Sequence, residues 1–112
     1  MEIDEETSKK IQELQIIEQN IQASLVQKQT LQLEHNEVKN ALEELEKSGD
    51  EVYKVVGGIM IKSDKNSLKK DLEEKKKIID LKLNSIEKQE KLVDQKAGEL
   101  RKEINESVSK NK

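Results

Sequence analysis

The chain has 112 residues, of which 32% are apolar and 40% are charged, with one aromatic residue and neither proline nor cysteine. This composition excludes an ordinary globular core, a disulfide framework and a thiolate metal site. The chain is therefore either disordered or a long helical assembly, and the spacing of its apolar residues has to decide between the two.

The charges divide unevenly along the chain. Residues 1–50 carry 12 acidic residues and 5 lysines, a balance of −7, whereas residues 51–112 carry 12 acidic and 16 basic residues, a balance of +4. Halves of opposite sign favour lying side by side. No apolar run approaches the roughly 20 residues that span a bilayer, and the start MEIDEETSKK lacks the pattern of a signal peptide. We therefore expect a soluble, cytoplasmic protein without a membrane partner.

A first helix is predicted over residues 4–47. Acidic residues follow Asp4, and Gly49 suits the left-handed residue that often follows a helix end. Alternate steps of three and four residues define a coiled-coil seam in which seven of ten positions are apolar. These positions are Leu14, Ile17, Ile21, Ser24, Lys28, Leu31, His35, Val38, Leu42 and Leu45.

The segment VYKVVGGIMIK, residues 52–62, predicts a β-hairpin within residues 51–63. Glycine tolerates the positive φ of a tight turn, so Gly57 and Gly58 form the two-residue loop. Pairing outward from the loop places Val56 opposite Ile59 and gives the hairpin two apolar faces.

A second helix is predicted over residues 64–109, with Ser63 or Asp64 as its N-cap. Its seam has eight apolar positions in ten. They are Leu72, Lys76, Ile79, Leu83, Ile86, Glu90, Val93, Ala97, Leu100 and Ile104.

Two seams of equal length joined by a chain reversal predict a mainly α fold, a long antiparallel intramolecular coiled coil with one central β-hairpin. Residues 1–112 then form a single domain. In this arrangement Lys28 and Glu90 lie within one layer of each other, so we expect them to pair across the seam; the alternative is that both reach out to water.

The hairpin has no core in its own chain to cover its two faces, and both its edges are open. We therefore expect it to join other hairpins in a closed or nearly closed sheet, a β-barrel platform. The residues expected to mediate this oligomerisation are Val52, Tyr53, Val55, Val56, Gly57, Gly58, Ile59, Met60 and Ile61.

Three stretches resemble the β subunits of prefoldin, an ATP-independent chaperone of archaea with relatives in eukaryotes. They are residues 24–47, residues 51–64 with VYKVVGGIMIK as the most specific part, and residues 68–100. The β-type subunits carry one hairpin between the helices and the α-type subunits carry two, so this chain is similar to the β type.

The resemblance implies a hetero-hexamer of two α-type and four β-type subunits, with a double β-barrel platform and six coiled coils around a cavity. It also implies a holdase that captures unfolded client proteins at the coiled-coil tips and passes them to a group II chaperonin.

On this interpretation, the client-binding tip combines the start of the first helix with the end of the second. Apolar residues there meet a client by non-directional burial, which needs no sequence motif in the client. The alternative is that the candidates at seam positions only pack between the two helices and do not contact a client. The candidates are Ile3, Ile11, Leu14, Ile16, Ile104 and Val108.

No feature of the sequence indicates an enzyme, a cofactor or a metal site. His35 falls on the seam without a partner at ligand spacing, which favours a core or solvent-reaching histidine. The lysine runs near residues 69–77 are interleaved with acidic residues and lack aromatic neighbours, which argues against nucleic-acid binding. The main alternative to a chaperone is an adaptor coiled coil with defined partners.

Overall fold

The computed structural model describes residues 3–110, with the backbone alone for Lys110. It contains helix α1 (Glu5–Lys47), strands β1 (Val52–Val56) and β2 (Ile59–Ser63), and helix α2 (Lys65–Lys110). The fold is therefore mainly α, with two long helices and an antiparallel hairpin between them, as the two seams predicted.

The start of α1 is fixed by Asp4. Its carboxylate accepts a hydrogen bond of 2.7 Å from the backbone N–H of Thr7, and its carbonyl accepts one of 3.0 Å from the N–H of Ser8. Hydrogen bonds from the hydroxyl and then the N–H of Thr7 lower the pKa of Asp4, with a smaller contribution from Lys10, against a partial desolvation that raises it. Asp4 is thus a charged N-cap for the first turn.

The prediction that Gly49 ends α1 in a left-handed conformation is wrong. Among the described residues, positive φ occurs at Gly57 and Gly58. Ser48 closes the helix instead, because its hydroxyl donates a 2.8 Å hydrogen bond to the carbonyl of Leu45. The carbonyl of Ser48 in turn accepts a 2.8 Å hydrogen bond from Lys65 Nζ, so side chains supply two of the hydrogen bonds at this helix end.

The hairpin has the predicted register. Val56 pairs with Ile59, and the ladder continues outward until Val52 meets Ser63. Gly57 and Gly58 have φ of 57° and 78°, the two positive values that a type I′ turn requires. Directly after β2, Asp64 caps α2 by accepting a 2.9 Å hydrogen bond from the N–H of Ser67.

The chain divides into two compact units. The terminal unit comprises Met1–Lys28 and Ser85–Lys112, and the hairpin unit comprises residues 29–84. Each unit contains one segment from each helix, and each has its own seam.

In the terminal unit the two helix segments run antiparallel. Lys10 Nζ lies 3.3 Å from Glu103 Oε2, whereas Lys28, later in α1, pairs with Glu90, earlier in α2. Further ion pairs join Glu13 to Lys96 and Glu18 to Arg101, all partly exposed and individually of small energetic weight. The buried residues of this unit are Thr7, Ile86, Ala97 and Leu100.

In the hairpin unit the helix segments are also antiparallel, since His35 pairs with Asp80 and the later Glu46 pairs with the earlier Lys69. Every predicted seam position in both units is buried or half-buried. The buried residues of the hairpin unit are Leu31, Val38, Leu45, Val52 and Ile79.

Candidate binding surfaces

The hairpin presents most of its apolar side chains to solvent. We define the hairpin surface as its six exposed apolar residues, which remain between 48% and 68% exposed. Alternation along paired strands distributes them over both faces, so a single helix packed beneath the sheet would not cover them. They are Tyr53, Val55, Val56, Ile59, Met60 and Ile61.

Val52 differs from the other hairpin residues because it is only 7% exposed. It lines a groove of about 420 Å³ together with Leu45, Leu68 and Leu72. This first residue of β1 therefore packs against the helices of its own unit, and its expected part in oligomerisation stays a prediction.

Both edges of the hairpin lack a neighbouring strand in the described part of the chain, since β1 and β2 form a sheet of two strands. An unpaired edge presents a row of free N–H and C=O groups that another strand can satisfy. Lys54 and Lys62 are the charged residues on these strands, and both are exposed. The hairpin thus combines open edges with exposed apolar faces.

The predicted tip residues fall into two groups. Ile3 is 49% exposed and Ile16 is 59% exposed. The other four, Ile11, Leu14, Ile104 and Val108, are half-buried. Sequence reasoning missed Thr7, which is only 2% exposed and extends the seam by one heptad before Leu14.

Further apolar residues outside the seams are exposed. On α1 these include Leu25 at 41%, Val26 at 63% and Leu33 at 65%. On α2 Ile78, Leu81 and Leu92 are between 53% and 69% exposed, and sequence reasoning did not single them out. Because these three residues do not fall on the three- and four-residue steps of the seam, their spacing could have predicted that they are exposed.

Lys28 and Glu90 pair across the seam, as predicted, with Lys28 Nζ 3.4 Å from Glu90 Oε2. Glu87 Oε1 lies 4.0 Å from the same ammonium group. The side chains of Lys28 and Glu90 are 25% and 21% exposed, so the pair is largely desolvated. The second carboxylate oxygen of Glu90, Oε1, is buried and accepts no hydrogen bond from any residue the structure describes.

His35 finds a carboxylate that its sequence neighbourhood did not reveal, because Asp80 Oδ1 on α2 lies 3.0 Å from its Nε2. One carboxylate and one imidazole do not make a metal site. Residues 3–110 contain no group of three or more His, Cys, Asp or Glu side chains placed to hold a metal ion. Within the same residues, neither helix is apolar over enough of its length to cross a membrane.

This combination of two long helices and one exposed hairpin matches a known class of protein. The prefoldin subunit family model matches residues 8–111. The fold also matches the crystal structure of the prefoldin beta subunit from Thermococcus strain KS-1, with a TM-score of 0.83 and 34% identity over 94% of each chain. The chain therefore belongs to the prefoldin family of chaperone subunits.

Within that family the similarity is to the beta subunits. The prefoldin subunit beta of Thermococcus onnurineus is 40% identical over 94 residues, which is 82% of this chain and 81% of the relative. That of Methanothrix thermoacetophila is 33% identical over 109 residues, or 96% of this chain and 91% of the relative. These relatives agree with the similarity to beta-type subunits that the sequence predicted.

Proposed function

We propose that this chain is the β-type subunit of an ATP-independent holdase that captures unfolded proteins and delivers them to a group II chaperonin. The observation that carries the proposal is the match to prefoldin beta subunits over nearly the whole chain. The exposed apolar side chains of both units also support the proposal, because a chaperone of this kind needs one surface for assembly and another for clients.

The hairpin surface is the assembly surface in this proposal. Its open edges pair with hairpins of other subunits, which buries Val55, Ile59 and Met60 in a β-barrel platform. The complex contains two α-type and four β-type subunits. Residues 1–112 act as one domain within it, of which residues 1–2 and 111–112 lie outside the described part of the structure.

Clients bind to the ends of the helices, where Ile3 and Ile16 are exposed and Ile11, Ile104 and Val108 are half-covered. At about 25 cal/mol per Å² of buried apolar surface, a few such side chains contribute only a few kcal/mol. Useful affinity therefore needs the ends of several subunits to act on one client, and weak individual contacts also permit release.

The proposal excludes other kinds of activity for the assembled complex. Capture by apolar burial requires no covalent step, so the subunit is not an enzyme and uses no cofactor. It has neither nucleic acid nor membrane as a partner, and it acts in the cytoplasm. Salt-sensitive binding of nucleic acid at low ionic strength would contradict this part.

Assembly is tested by the double variant Val55→Asp with Ile61→Asp. It places one carboxylate on each apolar face of the hairpin, and we expect the oligomer to dissociate in analytical ultracentrifugation while circular dichroism shows unchanged helix content. Lys54→Asp with Lys62→Asp is the matched control, because it puts the same groups on the same strands at positions that are already charged. An unchanged mass for the first variant refutes the platform.

Client capture is tested by the aggregation of several unrelated denatured proteins without ATP. Removal of residues 1–12 together with 104–112 should abolish protection and leave the oligomer intact. A milder variant, Ile3→Ser with Ile16→Ser, should weaken protection, whereas Leu33→Ser with Leu81→Ser removes comparably exposed side chains from the hairpin unit and should not. Full protection by the truncated complex contradicts the tip assignment.

The adaptor alternative gives a different result in the same assay. An adaptor would not protect denatured proteins and would instead form a stoichiometric complex with one defined partner. The mass of the chain alone and after mixing with an α-type prefoldin subunit separates assembly from client binding, because it reports on the hairpin irrespective of any client.

A further inference from the structure

The seam of the terminal unit contains a layer that apolar side chains do not fill. Ser24 and Lys28 occupy successive seam positions of α1, and Glu90 occupies a seam position of α2. We call these three residues the polar layer. A serine is too short to fill a seam position, and a charged pair at such a position is held only as well as its hydrogen bonds satisfy it.

The packing around the polar layer is incomplete. A cavity of about 300 Å³, partly open to solvent and bordered by the exposed Gln27 and Gln89, reaches Ile21 and Ser24 on α1 and Glu90 and Val93 on α2. The structure leaves Glu90 Oε1 buried without a hydrogen bond from the described residues. A buried carboxylate oxygen without a hydrogen bond lowers the free energy needed to separate the two helices at this point.

The helix itself is weak a short distance beyond the polar layer. Gly98 lies in the interior of α2, where glycine has a lower helix propensity than alanine. No atom lies within 4 Å of where its Cβ would be, so packing does not require a glycine. The segment from Glu90 to Gly98 thus begins at a polar seam position and ends at a poor helix former, although Ala97 within it is buried.

We propose that the helices of the terminal unit separate first at the polar layer, and that this opening exposes Ile21 and Val93 as a second client-contact site, which strengthens binding at the chain ends but does not protect a client without them. Both residues are half-buried in the closed form and border the cavity from opposite helices. Local opening of this kind exposes apolar surface without unfolding the chain. The part of the proposal that concerns client contact, which we call the client half, rests on the proposed holdase function.

Opening is measured by hydrogen exchange on the full chain in its assembled form, without any client. Amides of residues 20–28 and 89–98 should exchange at least about tenfold faster than those around Val38 and Ile79. In the double variant Lys28→Leu with Glu90→Leu, apolar side chains replace the pair and its unsatisfied oxygen. Exchange in the two segments should then slow by about tenfold, since such replacements of buried pairs are often stabilising.

The client half is measured with the same variant and with reduced, chemically denatured lysozyme as the client. Protection against aggregation should fall when the layer is closed, and a photoreactive residue in place of Val93 should cross-link to the client. The control variant is His35→Leu with Lys76→Leu, which removes polar seam residues from the hairpin unit and should leave protection unchanged.

The possible results are distinguishable. Equal exchange at the polar layer and around Val38 overturns the opening, whatever the client result. Slower exchange in Lys28→Leu with Glu90→Leu but undiminished protection overturns the contact site. A wild-type complex that protects no client refutes the proposed function and with it the contact site, while the exchange experiment still decides whether the layer opens.

Discussion

The two units carry seams of similar apolar content but bury them to different extents. In the hairpin unit Leu31, Val38 and Ile79 are at most 7% exposed. In the terminal unit the apolar seam residues that α1 contributes, among them Ile17 and Ile21, are only half-buried. The difference lies on the α1 side of the seam, because α2 contributes the buried residues Ile86, Ala97 and Leu100 to the terminal unit.

This difference separates two tasks within one chain. The hairpin unit holds the element proposed for assembly and buries the α1 side of its seam more fully, whereas the terminal unit holds the residues proposed to meet clients. A surface that must expose apolar groups transiently is drawn from the less stable part of a structure. We therefore expect substitutions of the same chemical kind to have larger effects on global stability in the hairpin unit.

The largest expected effect is that of Ile79→Ala, compared with Ile21→Ala in the terminal unit. Ile79 is 3% exposed, so its truncation should lower the free energy of unfolding by about 3 kcal/mol. Ile21 is half-buried beside an existing cavity, and its truncation should cost about 1 kcal/mol. Urea unfolding at one fixed protein concentration measures both, and equal costs would show that the two seams are packed equally well.

Gly98→Ala should act in the opposite direction, by raising the stability of the terminal unit. It should add about 0.5 to 1 kcal/mol to the free energy of unfolding, because alanine loses less backbone entropy in a helix and the site has room for a methyl group. Gly58→Ala is the control of opposite sign, since φ of 78° strains any residue with a Cβ. Thermal unfolding should show a higher midpoint for the first variant and a lower one for the second.

Much of the fold was predictable because its signals are local and periodic. The spacing of leucine and isoleucine located both seams, and two consecutive glycines located the turn and thereby the register of the hairpin. The pair of Lys28 and Glu90 followed from an antiparallel arrangement, since only that direction brings these two exceptions to one layer.

The missed features depend on contacts that periodicity does not encode. Ser48 and Lys65 form side-chain hydrogen bonds at the end of α1, and Gly49 there is not in a left-handed conformation. Alternation along a strand gives two faces, but it does not reveal that Val52 lies against the helices. Similarly, a pattern of apolar residues cannot show that a polar residue such as Thr7 extends the core. The exposed fraction of each tip residue also could not be predicted, because it is set by how the two helices pack against each other.

The smallest expected effects are at the helix caps, because the first turns that they hold have different surroundings in the two units. Asp64 follows β2 directly, so a first turn that has lost its cap cannot fray without disturbing the hairpin. Asp4 caps a first turn of α1 in which Glu5 and Glu6 are exposed, so this turn can fray with little loss of contact. Asp64→Ala should therefore cost about 1 kcal/mol of global stability, whereas Asp4→Ala should only speed amide exchange in residues 5–8.

The cap at Asp4 should also depend on pH. Because the folded state lowers the pKa of this carboxyl, its stabilising contribution is present above the pKa of the unfolded chain and is lost as the pH falls through the folded value. Asp4→Asn keeps a capping oxygen without the charge, so exchange at the Thr7 amide should remain protected and lose this pH dependence. NMR-detected exchange across the acidic range measures it, and an identical profile in wild type and Asp4→Asn would show that the charge has no part in holding the first turn.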